Sequence, residues 1–232
     1  GSGAINVTTA AIQAANGITK NDSGTTTISI ASTYAGGTTV NGGTLHLTGS
    51  LAAGSAVTVG GAAATGTPTL TGAGGTVNGT LLVAAAGGGA AGIVNPGTIG
   101  TTGTLNAGAT TINGTYACDV SGASSDLLAV TGNLDITGAT LAISGTLTAP
   151  SYTIATYTGT LAGSFTVSPA LPAGYTLDTA TAGQIKIVSS GTDYDTWMAL
   201  HPSITGLDKL PAADPDGDGL TNDAEASFGT NP

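Results

Sequence analysis

Glycine cuts this chain into pieces too short for anything but strands and turns. Through residues 18–190 the same small word, Gly-Thr-Leu or a near variant, keeps returning: Gly43-Thr44-Leu45, Gly75-Thr76-Val77, Gly79-Thr80-Leu81, Gly103-Thr104-Leu105, Gly145-Thr146-Leu147 and Gly159-Thr160-Leu161. Between the glycines, aliphatic residues alternate with Thr, Ser, His, Asp or Lys, as in Thr27-Ile28-Ser29-Ile30, Thr44-Leu45-His46-Leu47 and Gln184-Ile185-Lys186-Ile187. A period of two is the mark of a strand with one face buried, and glycine supplies the positive φ of tight corners. Recurring corners at short intervals suggest stacked rungs, each placing its aliphatic residue into a shared inner column. The expectation is an all-β parallel solenoid. At roughly 20 residues per rung it predicts about nine rungs and a rod about 40 Å long.

Composition narrows the function. Glycine accounts for 39 of 232 residues, and charged residues for only 7%, against about 25% in ordinary domains. Three lysines and no arginine against 13 acids give a net charge of −10, so a phosphate backbone has nothing to bind and nucleic acid is excluded as a partner. No apolar run is long enough for a membrane span, and membrane insertion is not expected. The start, Gly1 to Ile5, has no basic, apolar leader, which reads as a mature chain or an excised fragment. Hydrophobic residues at 40% and a mean hydropathy of +0.29 rule out disorder by composition.

Charge divides the chain. Residues 1–192 hold five acids and two lysines, whereas residues 193–232 hold eight acids and one lysine, together with Trp197, Met198 and Glu225, each the sole residue of its type. The predicted organisation is an N-terminal cap or inter-subunit segment over 1–17, a solenoid over 18–190 and an acidic tail over 191–232.

Several ordered motifs carry a family likeness. Ile18-Thr19-Lys20 through Thr33-Tyr34-Ala35-Gly36-Gly37 to Gly43-Thr44-Leu45 resembles the autotransporter-associated β-strand repeat. Ile93-Val94-Asn95-Pro96-Gly97 to Leu105, Tyr116 with Asp126-Leu127-Leu128-Ala129-Val130, and Leu171-Pro172-Ala173-Gly174-Tyr175 resemble the elements that follow such repeats in passenger domains. The resemblance, over roughly residues 18–188, implies a right-handed parallel β-helix on a secreted bacterial surface protein, acting as stalk or passenger. The tail, from Tyr194-Asp195-Thr196-Trp197 to Gly229-Thr230-Asn231-Pro232, is similar instead to C-terminal modules of large surface proteins in Verrucomicrobia-like and Planctomycetes-like bacteria. Its loop resembles those of dockerins and thrombospondin type 3 repeats.

One constellation in the tail carries chemistry. Asp214-Pro-Asp216-Gly-Asp218-Gly219-Leu220-Thr-Asn222-Asp223-Ala-Glu225 fits the D-x-D-x-D-G-x₅-E pattern, which supplies the oxygen shell of Ca²⁺. Asp214, Asp216 and Asp218 provide alternate carboxylates, Leu220 a carbonyl, Asn222 a water-mediated contact, and Glu225 closes the shell from a short helix over about 221–228. Calcium is the expected cofactor, at extracellular concentration.

Other residues are read as structural. Cys118 falls in phase with Tyr116 and Val120 as a small buried group, Asp126 caps a turn, His46 faces outward, and His201 packs at a helix end. The predicted function is a non-catalytic extracellular structural or adhesive element, associating end to end because neither end shows a cap, with a glycan or cell-surface contact as a further partner. The alternatives are a carbohydrate-binding module using Tyr34, Tyr152 and Tyr157 as platforms, and a polysaccharide-active enzyme in which Asp126 and Asp135 meet across rungs.

Overall fold

The computed structural model describes residues 5–7, 17–34, 36–189, 201, 203–209, 212–222 and 224–225. The chain divides into two compact units, one of residues 1–172 and 177–188, the other of 173–176 and 189–232.

The first unit is a parallel β-solenoid of about six turns. Each full turn visits three sheets in a fixed order. In the second turn the chain runs through Thr38–Val40, Thr44–Leu47 and Ser50–Leu51; in the fifth, through Thr110–Ile112, Thr115–Ser121 and Leu127–Val130. Registers are parallel along the first two faces and, as far as Ser151–Tyr157, along the third. One inner column reads Thr26, Leu45, Leu70, Val94, Tyr116, Leu141, Val167. A second reads Lys20, Val40, Val59, Val83, Ile112. A third reads Leu51, Val77, Ala107, Val130. The aliphatic members are buried almost completely, which is what period-two patterning produces when stacked strands leave one face to the interior.

The turn count is lower than the sequence suggested, and the Gly-Thr-Leu word explains why. It serves all three corners: the words at Thr44-Leu45, Thr80-Leu81 and Thr104-Leu105 lead into strands of three different sheets, Thr44–Leu47, Leu81–Val83 and Thr104–Ala107. Successive words therefore mark parts of a turn. A full turn takes from nineteen residues, Thr25 to Thr44, to thirty, Thr76 to Asn106. About six turns at 4.8 Å give a rod about 30 Å long.

The ends also differ from expectation. Ile5–Val7 pairs in parallel with Thr26–Ile28; the rest of the predicted cap, apart from Gly17, lies outside the described residues. At the other end the third sheet is closed, because Gln184–Ser189 adds antiparallel to Ser151–Tyr157. At the edge of the second face, Lys20 stands in the apolar column, 4% exposed, with its Nζ donating to Asp22 Oδ1 at 2.9 Å and to the Asp22 carbonyl at 3.0 Å. A charge turned inward on an edge strand discourages further pairing.

The described residues contain no helix long and apolar enough to cross a membrane. In the second unit they contain one 3₁₀ turn, Gly206–Lys209, and a helical turn at Asn222, Ala224 and Glu225, where Glu225 N–H donates to the Thr221 carbonyl at 2.9 Å. The expected continuation of that helix to 228 lies outside the described residues, as does Trp197.

Candidate metal centre

The acidic loop folds around its own carboxylates. Asp214 Oδ1 accepts the Gly217 N–H at 2.9 Å and its Oδ2 the Gly219 N–H at 3.1 Å, while Asp218 Oδ1 accepts the Leu220 N–H at 2.8 Å. Gly217 and Gly219 adopt φ of 73° and 94°, conformations that side chains resist. The alternation turns Asp214, Asp216 and Asp218 to one centre, where one oxygen from each lies within 4.8 Å of the others. Ligand atoms held 2.3–2.6 Å from one ion are at most about 5 Å apart, so the three fit a single hard cation.

Glu225 lies outside that group of three, yet within electrostatic reach of it. Its side chain is fully buried, and neither carboxylate oxygen has a hydrogen-bond partner. Burial raises its pKa, and Asp216, Asp218 and Asp214 raise it further, while His201 works against them. A buried carboxylate without donors and facing three acids is unfavourable unless a cation or a proton joins it. Asn222 also holds the fold, its Nδ2 donating to the Asp208 carbonyl at 2.7 Å and its N–H to the Ala213 carbonyl at 2.8 Å. The six predicted ligand positions thus occupy one loop and the helical turn after it. Asp208 was not read from sequence; only its spacing from the loop would have suggested the contact.

The residues proposed for other chemistry are placed differently. Tyr34 is fully buried with its hydroxyl on Thr38 Oγ1, and Tyr152 is 2% exposed, donating to the Gly122 carbonyl and accepting the amides of Thr148 and Ala149. Neither is a platform for a sugar ring: in this charge-poor core the large aromatic bodies fill the interior and their hydroxyls find hydrogen-bond partners there. His46 is half-buried, its Nδ1 2.9 Å from Thr71 Oγ1, rather than free on the surface; burial lowers its pKa. Asp126 and Asp135 do not pair. Asp126 is fully buried and bonded to backbone amides, as a turn cap should be, whereas Asp135 sits on the outer row of the second sheet beside Thr111, accepting the Thr137 N–H. Cys118 is buried as expected, and desolvation pushes its thiol pKa up, which makes it a poor nucleophile.

Comparison with known families adds one finding. Residues 18–47 match the passenger-associated-transport-repeat family. These residues supply the strands Ile18–Lys20 and Thr38–Val40, which open one sheet face, and Thr25–Ile28 and Thr44–Leu47, which follow Ile5–Val7 in another, and the stacked architecture fits a repeat of autotransporter-passenger type. A search of the curated proteins returns no match.

Proposed function

We propose that the chain is a non-catalytic structural segment displayed outside a bacterial cell, in which the solenoid serves as a stiff, charge-poor spacer and the acidic tail as a calcium-clamped module. The solenoid reading rests on unbroken inner columns beneath a passenger-type repeat. Its carboxylates are engaged in backbone capping.

The calcium reading rests chiefly on three converging aspartates and on Glu225, a buried carboxylate with both oxygens unbonded and within their electrostatic reach. Asp214, Asp216, Asp218 and Glu225 would hold the ion, with the Leu220 carbonyl and Asn222 nearby. The ion would supply positive charge that neutralises the cluster and fixes the loop; no reaction is asked of it. Limited proteolysis with and without a chelator tests this: calcium should slow cleavage within 189–232 and leave the solenoid unchanged, and equal cleavage in both conditions would contradict it.

End-to-end self-association is proposed through two faces only. Leu161–Ala162 and Thr166–Val167 end the second and first sheets, whereas the third is closed by its antiparallel strand. Light scattering that finds only monomers at high concentration would remove this part.

A further inference from the structure

Eight residues, 96–103, join Ile93–Asn95 to Thr104–Ala107 on the edge where the chain passes from the first sheet to the third; two turns earlier the same passage, from Thr44–Leu47 to Ser50–Leu51, takes two. The extra length forms a stiff projection. Thr101 N–H donates to the Thr98 carbonyl at 2.7 Å, the two threonine hydroxyls bond each other, and Gly100 takes a φ of 85°, which suits the third position of such a turn. Its base is held from within. Gly100 N–H donates to Asp119 Oδ2 and Gly103 N–H to Asp126 Oδ1, both at 2.8 Å, and Gly72 N–H to the Gly97 carbonyl at 2.9 Å. At the apex stands Ile99, 77% exposed. Single apolar residues on a surface are ordinary, but among the described residues the only other large one exposed is Leu82, at 36% and inside a strand. An apolar residue carried on a pre-ordered tip loses little further freedom on docking.

Two to three turns further along the same edge lies a pocket of about 170 Å³. Ile143 and Leu147 line it from one turn, Pro169, Leu171 and Pro172 from the next, and none of its lining side chains is polar or charged. It has room for one branched aliphatic side chain. At 4.8 Å per turn, tip and pocket are about 10–14 Å apart along the solenoid. Between them the edge presents Ser121, Gly122, Ala123 and Ser124, all exposed, small and uncharged.

We propose that this edge is an interface with a second copy of the chain, in which two solenoids lie antiparallel and each inserts Ile99 into the apolar pocket of the other. Because tip and pocket share an edge, a two-fold axis perpendicular to the solenoid and midway between them satisfies both insertions at once, so the contact closes at two copies. The small residues of the intervening turn meet at that axis and let the backbones approach. Charge favours the chain itself as the occupant. With a net charge of −10, a self-contact must avoid exposed acids, and the acids of this edge, Asp119 and Asp126, are buried. The contact uses the side of the solenoid and is independent of the end-to-end association proposed above.

Analytical ultracentrifugation of the full chain, at concentrations up to about 1 mM, tests the interface. The wild type should form dimers, and Ile99→Ser should weaken dimerisation at least about tenfold, because each dimer loses two buried isoleucines. Ile99 is exposed in the single chain, so the variant keeps its fold. A second readout fixes the geometry: Ile99→Cys chains mixed with Leu171→Cys chains should form disulfide-linked pairs on mild oxidation, and neither should do so alone. Cys118 is buried and common to both. Dimers that stop at two copies and depend on Ile99 support this contact even where end-to-end association fails. A wild type that stays monomeric, dimers undiminished in Ile99→Ser, or Ile99→Cys chains that link to one another as readily as to Leu171→Cys chains would overturn the proposal.

Discussion

Lys20 and Asp22 form a 2.9 Å ion pair at the first turn, and the lysine stem stands in the same inner column as Val40, Val59 and Val83. An apolar stem beneath a neutralised head closes the column without leaving a bare edge. Lys20→Met should keep the packing and remove the guard, so concentration-dependent self-association should rise in light scattering. Asp22→Asn should lower the thermal midpoint by a few degrees, because it leaves a buried ammonium without its counter-ion.

The hydroxyl of Tyr116 donates to the Ile154 carbonyl at 2.5 Å across the solenoid interior, and its ring meets Phe165 at 5.9 Å between centroids. Tyr116→Phe keeps the ring and strands the carbonyl. A loss of about 1–2 kcal/mol in denaturant unfolding is expected.

Glycines at corners are not equivalent. A Cβ on Gly75 would lie 2.1 Å from the Leu47 carbonyl oxygen of the turn below, whereas Gly138, at φ of 80°, has nothing within 4 Å of that position. Gly138→Ala should cost only its backbone strain, about 1–2 kcal/mol. Gly75→Ala must push two turns apart and should cost more than that, or prevent folding; equal midpoints for the two variants would contradict the stacking registers.

Solenoid stability should peak in mild acid. Asp22 and Asp135 have lowered pKa values through bonds to Lys20 and to the Thr137 amide respectively, so their contribution is fully present above the ordinary carboxylate value and is lost as pH falls below it through their lowered native values. Asp126 is raised to about 6, so its ionisation detracts from stability as pH rises towards and past 6. The thermal midpoint should be higher at pH 5 than at pH 7.5 and fall again below pH 4. A midpoint rising steadily from pH 5 to 7.5 would argue against a buried, raised Asp126.

Much of the solenoid was legible in the residues, because alternation and corner glycines are local signals. Leu45, Leu70, Val94 and Cys118 take the positions their phase requires. The turn count was not legible, since one Gly-Thr-Leu word marks three different corners and nothing local says which. Lys20 was in phase with Ile18 throughout, yet its charge argues for the surface until Asp22, two residues on, is recognised as its partner. Tyr34 and Tyr152 misled for the same reason: a Thr-rich setting makes a tyrosine look exposed, and only the long-range stacking shows that its ring fills the core. In the tail, spacing alone brought three aspartates to one centre. The burial of Glu225 and the tie from Asn222 to Asp208 depend on how the loop closes.

Calorimetric titration of calcium into the chelator-stripped chain tests the account most directly. One ion per chain should bind, and Glu225→Gln should weaken binding at least about tenfold, as expected from loss of a ligating carboxylate. Absence of binding in the wild type, or undiminished affinity in Glu225→Gln, would contradict the ion-clamped tail.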